Sequence, residues 1–203
     1  MLPADKIKAQ KIKSIEMLFG QIMHELGLPL NDSSLKDTPL RVAKMYVNEL
    51  FTSLDDVNIP KLTTFDNKYR YDQMVVETDI EINTTCEHHF VPIIGVAHIA
   101  YIPQDFVLGL SKLNRVAHHY CKRPQVQERL TRQIKDKLDE TLKTPDIAVA
   151  VDAKHMCVKI RGVRDSNCTT TTTSLGGRFL EDIETRNESV SYTHLTLPTI
   201  CSV

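Results

Sequence analysis

Hydrophobic positions near the start of the chain recur with the period of an α-helix. The apolar residues spaced by three or four along this segment are Ile15, Leu18, Ile22 and Leu26. Such spacing places them on one helical face, and Gly27 followed by Pro29 is typical of a helix end. The pattern therefore predicts a helix over residues 5–26.

A second helix is predicted to begin at Thr38. Its hydroxyl can cap a helix, and Pro39 follows at the first helical position. The apolar stripe of this helix comprises Val42, Met45, Tyr46 and Leu50. Residues 52–71 are polar and lack a regular period, so a loop is predicted there.

The pattern changes to that of β-strands between Met74 and Ile102. Two segments rich in β-branched residues, with partial alternation of apolar and polar positions, flank the sequence Cys86-Glu87-His88-His89. Each segment is predicted to be a strand.

Helical periodicity returns at Ser111, is interrupted at Pro124 and continues over residues 126–142. The second half carries an i, i+4 stripe of Leu130, Ile134, Leu138 and Leu142. Strand character follows at residues 146–161 and 168–174, where a run of five threonines favours a strand over low-complexity coil. This order of elements indicates an α+β fold with an antiparallel sheet.

Charge and composition exclude several classes of function. The net charge of −1 gives no general affinity for nucleic acid or for an anionic membrane. No segment is apolar enough to span a membrane, and the N-terminus lacks the pattern of a signal peptide. Five cysteines, an odd number, suit a reducing compartment. A cytoplasmic protein is therefore predicted.

Two short motifs contain the residue types that bind zinc. Cys86 and His89 form a CxxH sequence, and His155 and Cys157 form an HxC sequence. A catalytic zinc commonly has three protein ligands and one open position. Cys86, His89 and Cys157 make up such a set, which leaves His88 and His155 to transfer protons near neutral pH.

The same cysteines and histidines are also compatible with a purely structural role. A single CxxH often consists of buried residues that pack in a core, and a structural zinc site would use four protein ligands. The second motif and the additional histidines favour a catalytic site. Cys121 and Cys168 are predicted to be structural.

The strand predicted over residues 146–161 would have one strongly polar face, because alternate residues of a strand share a side. That face would carry His155, Cys157, Lys159 and Arg161. Cys157 and Arg161 would lie about 13 Å apart, which is comparable with the reach from a nucleotide base to its terminal phosphate. No glycine-rich phosphate loop is present, so phosphate binding would depend on side chains such as these.

Four separated segments resemble GTP cyclohydrolase I in order and spacing. They read DTPLRVAKMYVNELF, TTCEHHFVPIIGVAHIAYIP, GLSKLNRVAHHYCKRPQVQERLTRQI and KHMCVKIRGVRDSNCTTTTTSLGG. The resemblance covers residues 5–188. It implies hydrolytic opening of the imidazole ring of GTP at C8, release of formate and rearrangement to 7,8-dihydroneopterin triphosphate, the first step of tetrahydrofolate and pterin biosynthesis.

The resemblance also implies roles for individual residues. It supports zinc binding by Cys86, His89 and Cys157, and proton transfer by His88 and His155. The positions that match the family's triphosphate-binding residues are Arg41, Lys112, Arg115 and Arg161.

Three further residues match positions that contact the substrate in this family. Glu128 corresponds to the carboxylate that accepts hydrogen bonds from N1–H and the amino group of guanine. Gln127 and Ser111 correspond to other contacts with GTP.

The family has the tunnelling fold (T-fold), an antiparallel sheet with helices on one face, and assembles as a homodecamer of two pentamers with active sites between subunits. By resemblance, residues 1–60 are an N-terminal helical extension and residues 61–188 the T-fold catalytic domain. Residues 189–203 depart from the family pattern and contain no charged side chain. We hypothesise that this tail is not native.

Two other functions share parts of the pattern. A different enzyme on the same fold, such as a pterin aldolase or a nitrile reductase of the queuosine pathway, would lack the paired CEHH and HxC motifs. A non-enzymatic, zinc-stabilised oligomer would have no need of the additional histidines and cations. The deaminase pattern of HxE with PCxxC is absent, which disfavours simple deamination of a base.

Overall fold

The computed structural model describes residues 3–54 and 59–193. The chain forms two compact units, residues 1–56 and 57–203. The first contains α1 (Pro3–Glu25), α2 (Thr38–Met45) and a π-helical turn over Tyr46–Leu50. Both predicted helices are confirmed. The cap differs from the prediction, because Asp37 occupies the N-cap position and the Thr38 hydroxyl instead accepts a hydrogen bond from Arg41 Nη2 at 3.0 Å.

The second unit contains the remaining helices and all strands of the described residues. In chain order these are β1 (Thr64–Asp66), β2 (Val75–Cys86), β3 (Pro92–Tyr101), β4 (Phe106–Leu108), α3 (Ser111–Cys121), β5 (Pro124–Gln125), α4 (Gln127–Leu142), β6 (Ile147–His155), α5 (Met156–Lys159), β7 (Thr170–Leu175), α6 (Arg178–Glu181) and α7 (Ile183–Thr193). The predicted α+β class and the strand formed by the threonine run are confirmed.

The main sheet has five strands in the order β5-β2-β3-β6-β7. All its pairs are antiparallel except the short parallel pair of β5 with β2. A separate two-stranded sheet pairs β1 with β4, so the prediction of a loop throughout residues 52–71 was wrong. Three residues are too few to show a strand period, and the partner of β1 lies far along the chain.

Helices α3 and α4 cover one face of the main sheet. The predicted stripe of α4 is confirmed, since Leu130, Ile134, Leu138 and Leu142 are each 0% exposed. A leucine buried to this degree contributes about 1.5–3 kcal/mol. A smaller cluster, in which Phe179 of α6 packs against Ala100 and Ala148, lies on the opposite face. Helices therefore contact both faces of the sheet, whereas one face was predicted.

The strand predicted over residues 146–161 ends at His155, and Met156–Lys159 form a helical turn instead. The reason is a lack of pairing partners beyond that point. On one side the β3 register ends where Ile93 pairs with His155, and on the other β7 pairs only as far as Ala153. The predicted polar face of alternating side chains beyond His155 is therefore wrong.

None of the helices in the described part of the chain combines the length and apolar character needed to cross a membrane. Helix α7 continues to Thr193, so the first residues of the atypical segment extend a helix. Residues 194–203, including Cys201, lie outside the described residues.

Gly95→Ala is expected to destabilise the second unit by about 1–3 kcal/mol, the usual cost of overpacking. A Cβ atom on Gly95 would lie 1.9 Å from the Asp152 carbonyl oxygen and 2.5 Å from Ala153 Cα, so β3 and β6 would have to separate. The change can be measured by urea denaturation. Gly20→Ala is the matched control, because its added Cβ would approach Pro39 no closer than 3.7 Å. An equal loss in both variants would contradict the packing argument.

Candidate functional site

The sheet register brings the two cysteine motifs to the same end of neighbouring strands. Thr84 of β2 and His155 of β6 both pair with Ile93, on opposite sides of β3. Cys86 and Cys157 each follow two residues later. Both cysteines therefore lie just beyond the first residues of β3, at the same end of the sheet.

The turn between β2 and β3 brings His89 back towards Cys86. Cys86 N donates to the Val91 carbonyl and Phe90 N donates to the Cys86 carbonyl, both at 2.8 Å. Phe90 has a left-handed φ of 53°, which reverses the chain immediately after His89. Cys86 itself is 4% exposed, so the turn is built on a buried residue.

Three side chains have the composition of a metal site, and we call them the metal-ligand group: Cys86, His89 and Cys157. One ligand atom of each lies within 4.8 Å of the others. In a tetrahedral zinc site, with Zn–S of about 2.3 Å and Zn–N of about 2.0–2.1 Å, neighbouring ligand atoms are about 3.5–3.8 Å apart. The three ligand atoms would therefore have to move about 1 Å closer together to hold zinc.

The electrostatics of the two thiols also suit a cation. Burial raises the pKa of Cys157, and the adjacent Cys86 thiol raises it further, while Arg161 lowers it. Two neighbouring thiolates repel each other unless a positive ion lies between them. The donor set therefore fits a divalent, thiophilic metal such as zinc.

Arg161 lies beside the metal-ligand group. Its Nη1 donates to His89 Nε2 at 2.8 Å, so the 13 Å separation from Cys157 that an extended strand would give does not occur. The helical turn of α5 shortens the path between Cys157 and Arg161. A cation thus lies next to a candidate metal ligand.

His155 is held by the side chain of Gln127, the first residue of α4. His155 Nε2 and Gln127 Oε1 are 2.7 Å apart. The Gln127 amide nitrogen donates to the Val151 carbonyl of β6 and to the Thr170 carbonyl of β7, both at 2.8 Å. Gln127 is 2% exposed, so these bonds are shielded from water.

The environment of His155 favours a neutral ring. Burial lowers the pKa of His155, and the carboxylate of Glu128 acts in the opposite direction. Glu128 is exposed at the beginning of α4. The structure therefore brings His155, Gln127 and Glu128 together, as well as the three candidate metal ligands and Arg161.

Glu87 and Arg129 belong to this region although they were not predicted. Arg129 Nη2 contacts Glu87 Oε2 and also donates to the Pro124 carbonyl at 2.9 Å. Glu87 Oε1 lies 3.9 Å from Nε2 of the exposed His88. The ion pair between Glu87 and Arg129 ties the turn that carries His88 and His89 to α4. The position of Glu87 between a cysteine and a histidine was the signal that could have identified it.

The other predicted substrate contacts belong to α3 and to α2 of the first unit. Ser111, Lys112 and Arg115 occupy the first half of α3. Within the described residues, no hydrogen bond or ion pair joins them to the metal-ligand group. Arg41 belongs to the first unit, where its Nη2 donates to the Ser34 carbonyl at 2.7 Å and to the Thr38 hydroxyl.

Comparison with known proteins gives a consistent family. A family model described as GTP cyclohydrolase I matches residues 15–194. GTP cyclohydrolase 1 of Aeromonas hydrophila is 53% identical over 88% of this chain and 82% of that protein. The enzyme of that name from Flavobacterium johnsoniae is 49% identical over 92% of this chain and 83% of its own length. The one from Yersinia pseudotuberculosis is 55% identical over 86% of this chain and 79% of its own.

Among solved structures, archaeosine synthase QueF-Like in the apo form aligns with 51% of this chain and 93% of that chain. The TM-score is 0.44 and the sequence identity is 15%. This similarity is too low to assign a shared fold.

Proposed function

The chain belongs to the GTP cyclohydrolase I family, and from this we propose that it converts GTP to 7,8-dihydroneopterin triphosphate and formate. The observation that carries the proposal is the convergence of Cys86, His89 and Cys157 on one point, with His155 held nearby by a buried glutamine. A metal-binding group and a fixed imidazole are what hydrolytic ring opening requires.

We propose zinc as the bound metal, with Cys86, His89 and Cys157 as its ligands. Zinc at a three-ligand site would supply a water activated for attack on C8 of the purine. His155 and His88 would move protons during ring opening and rearrangement. The hydrogen bond to Gln127 holds His155 in a fixed orientation, whereas the exposed side chain of His88 can exchange protons with solvent.

Arg161 is proposed to bind the triphosphate. A neutral imidazole has a single lone pair, so His89 cannot ligate a metal while it accepts a hydrogen bond from Arg161. Zinc binding would therefore release the guanidinium, whose paired donors match phosphate oxygens. Lys112 and Arg115 form no ion pair within the described residues, and we propose them, with Ser111 and Arg41, as further triphosphate contacts.

Glu128→Gln is expected to raise KM for GTP by about 10–150-fold, the equivalent of the 1.5–3 kcal/mol of a hydrogen bond to a charged group. The carboxylate is exposed near His155 and is proposed to accept both donors of the guanine edge. Steady-state kinetics measure the change. Glu140→Gln is the control, because Glu140 lies on the same helix and its one ion pair among the described residues is with Lys137. An unchanged KM in the Glu128 variant would contradict this role.

The assembly is proposed to be the family's decamer of two pentamers, built on the T-fold of residues 61–188 with a helical extension over residues 1–60. Two sheet edges support it. The outer edge of β7 and that of β2 over Val75–Asn83 have no strand partner within the described residues, and such edges tend to pair with another chain. Sedimentation analysis tests the assembly.

A cytoplasmic location is part of the same proposal.

The catalytic proposal is tested by incubating the zinc-loaded protein with GTP. Formate release and the fluorescence of the oxidised pterin product should rise together in equal amounts. Release of ammonia in place of formate would indicate deamination and contradict the proposal. If the protein binds one zinc per chain and assembles but leaves GTP unchanged, it is a non-enzymatic member of the family.

A further inference from the structure

Gln127 has a bonding pattern that does not suit a substrate contact. Both hydrogens of its amide are donated to backbone carbonyls, one on β6 and one on β7. Its oxygen faces His155 Nε2 at 2.7 Å, and the side chain is 2% exposed. A group enclosed in this way has little capacity left for GTP.

These contacts fix which atom of the amide faces the histidine. With the opposite orientation, the amide oxygen would face the carbonyls of Val151 and Thr170 at 2.8 Å. Three acceptors would then meet without a hydrogen between them, which is costly for buried groups. The oxygen must therefore point at His155, and it can only accept a hydrogen bond.

The proton of His155 follows from the same reasoning. Because Gln127 Oε1 accepts, His155 Nε2 has to carry the hydrogen. In the neutral ring the lone pair is then on Nδ1. Gln127 thus determines the tautomer as well as the orientation of the ring, in the way that a second partner orients a catalytic imidazole.

We propose that Gln127 is a positioning residue for His155, which holds the proton on Nε2 so that Nδ1 is the atom that exchanges protons with the substrate. This inference rests on the proposed function only for the identity of the reaction. The tautomer itself follows from the hydrogen bonds among Gln127, the two backbone carbonyls and His155.

The first test is the tautomer of His155 in the zinc-loaded protein without GTP. Imidazole nitrogens of protein labelled with 15N-histidine are observed by NMR, and His155→Asn identifies the signals of residue 155. A protonated Nε2 and an unprotonated Nδ1 are expected. A proton on Nδ1 would overturn the proposal, and this measurement needs no variant of Gln127.

The second test uses Gln127→Met, which keeps the length of the side chain and removes its hydrogen bonds. The tautomer preference should be lost and kcat should fall about 10–100-fold, a part of the 10²–10⁴ that a positioned acid or base contributes. KM for GTP should change less than kcat. A large rise in KM with an unchanged kcat would identify Gln127 as a substrate contact and overturn the positioning role.

Thr131→Val is the matched control for the bond that Gln127 makes between α4 and β7. Thr131 Oγ1 donates to the backbone carbonyl of Gln127 at 2.8 Å and lies 2.6 Å from Thr172 Oγ1. Its loss therefore weakens the same junction and leaves the hydrogen bonds of the Gln127 side chain, including the one to His155, in place. Its tautomer signal and kcat should match those of the unmodified protein. A fall in kcat as large as that of Gln127→Met would show that the glutamine acts only by holding α4 to β7, and would refute the proposal.

If the tautomer is as expected but GTP is not turned over, the proposed function fails and the assignment of the proton stands.

Discussion

Replacing Cys157 with alanine is expected to reduce bound zinc from about one per chain to background and to abolish conversion of GTP. Three ligand atoms from the described residues converge at the site, and a zinc ion left with two of these ligands would be held weakly. Cys157 is also the candidate ligand that the second motif supplies, whereas Cys86 at the end of β2 and His89 in the turn after it belong to the first motif. Zinc content is measured by elemental analysis and turnover by formate release.

Two controls separate loss of metal from loss of fold. Cys168→Ala removes an exposed cysteine whose backbone N–H, not its thiol, bonds to Asp165, so zinc and activity should be unchanged. Cys157 packs partly against the hydrophobic core, so circular dichroism and sedimentation of the alanine variant must match those of the unmodified protein. Full zinc occupancy in a folded Cys157→Ala variant would mean that the metal is held elsewhere.

The elements around the site could be predicted where local pattern determines structure. The stripe of α4 and the strands on either side of Cys86 follow from side-chain period and β-branching, which act within a few residues. The candidate metal site could also be predicted, because the second motif adds a cysteine to the CxxH pair, and the three side chains lie close together in the structure. These features depend little on distant parts of the chain.

The turn after His155 could not be predicted, because it depends on where other strands stop. Residues 156–161 alternate in a way that suits a strand. However, β3 begins at Pro92, so a longer β6 would have no neighbour to pair with. The length of a strand is set by its partners as well as by its own sequence. The same limitation applies to β1, which depends on pairing with β4.

The contacts of charged and amide side chains on helices do not follow from local sequence pattern. Arg129 and Gln127 have the sequence pattern of ordinary helix residues, and their contacts reach Glu87, β6 and β7. Resemblance drew attention to Gln127 as a substrate contact, whereas its burial and bonding support a role in holding His155. Side-chain contacts of this kind emerge only from the three-dimensional structure.

Replacing His155 with asparagine is expected to leave one zinc per chain and to lower kcat by about 10²–10⁴-fold, the contribution of a positioned acid or base. His155 is outside the group of three ligand atoms, and its Nε2 is engaged with Gln127. The metal should therefore stay bound while proton transfer fails. Zinc analysis and single-turnover kinetics measure the two quantities separately.

The opposite combination would change the mechanism. If zinc is lost from the His155 variant, then His155 helps to hold the metal and the site is not limited to three ligands. If both zinc and kcat persist, the proton is moved by another group, such as His88, the other histidine proposed for proton transfer. His24→Asn replaces an imidazole whose side chain is 80% exposed and should alter neither quantity. Together, the His155 and Cys157 variants distinguish the residue that moves protons from the residues that hold the metal, because the first substitution spares the zinc that the second removes.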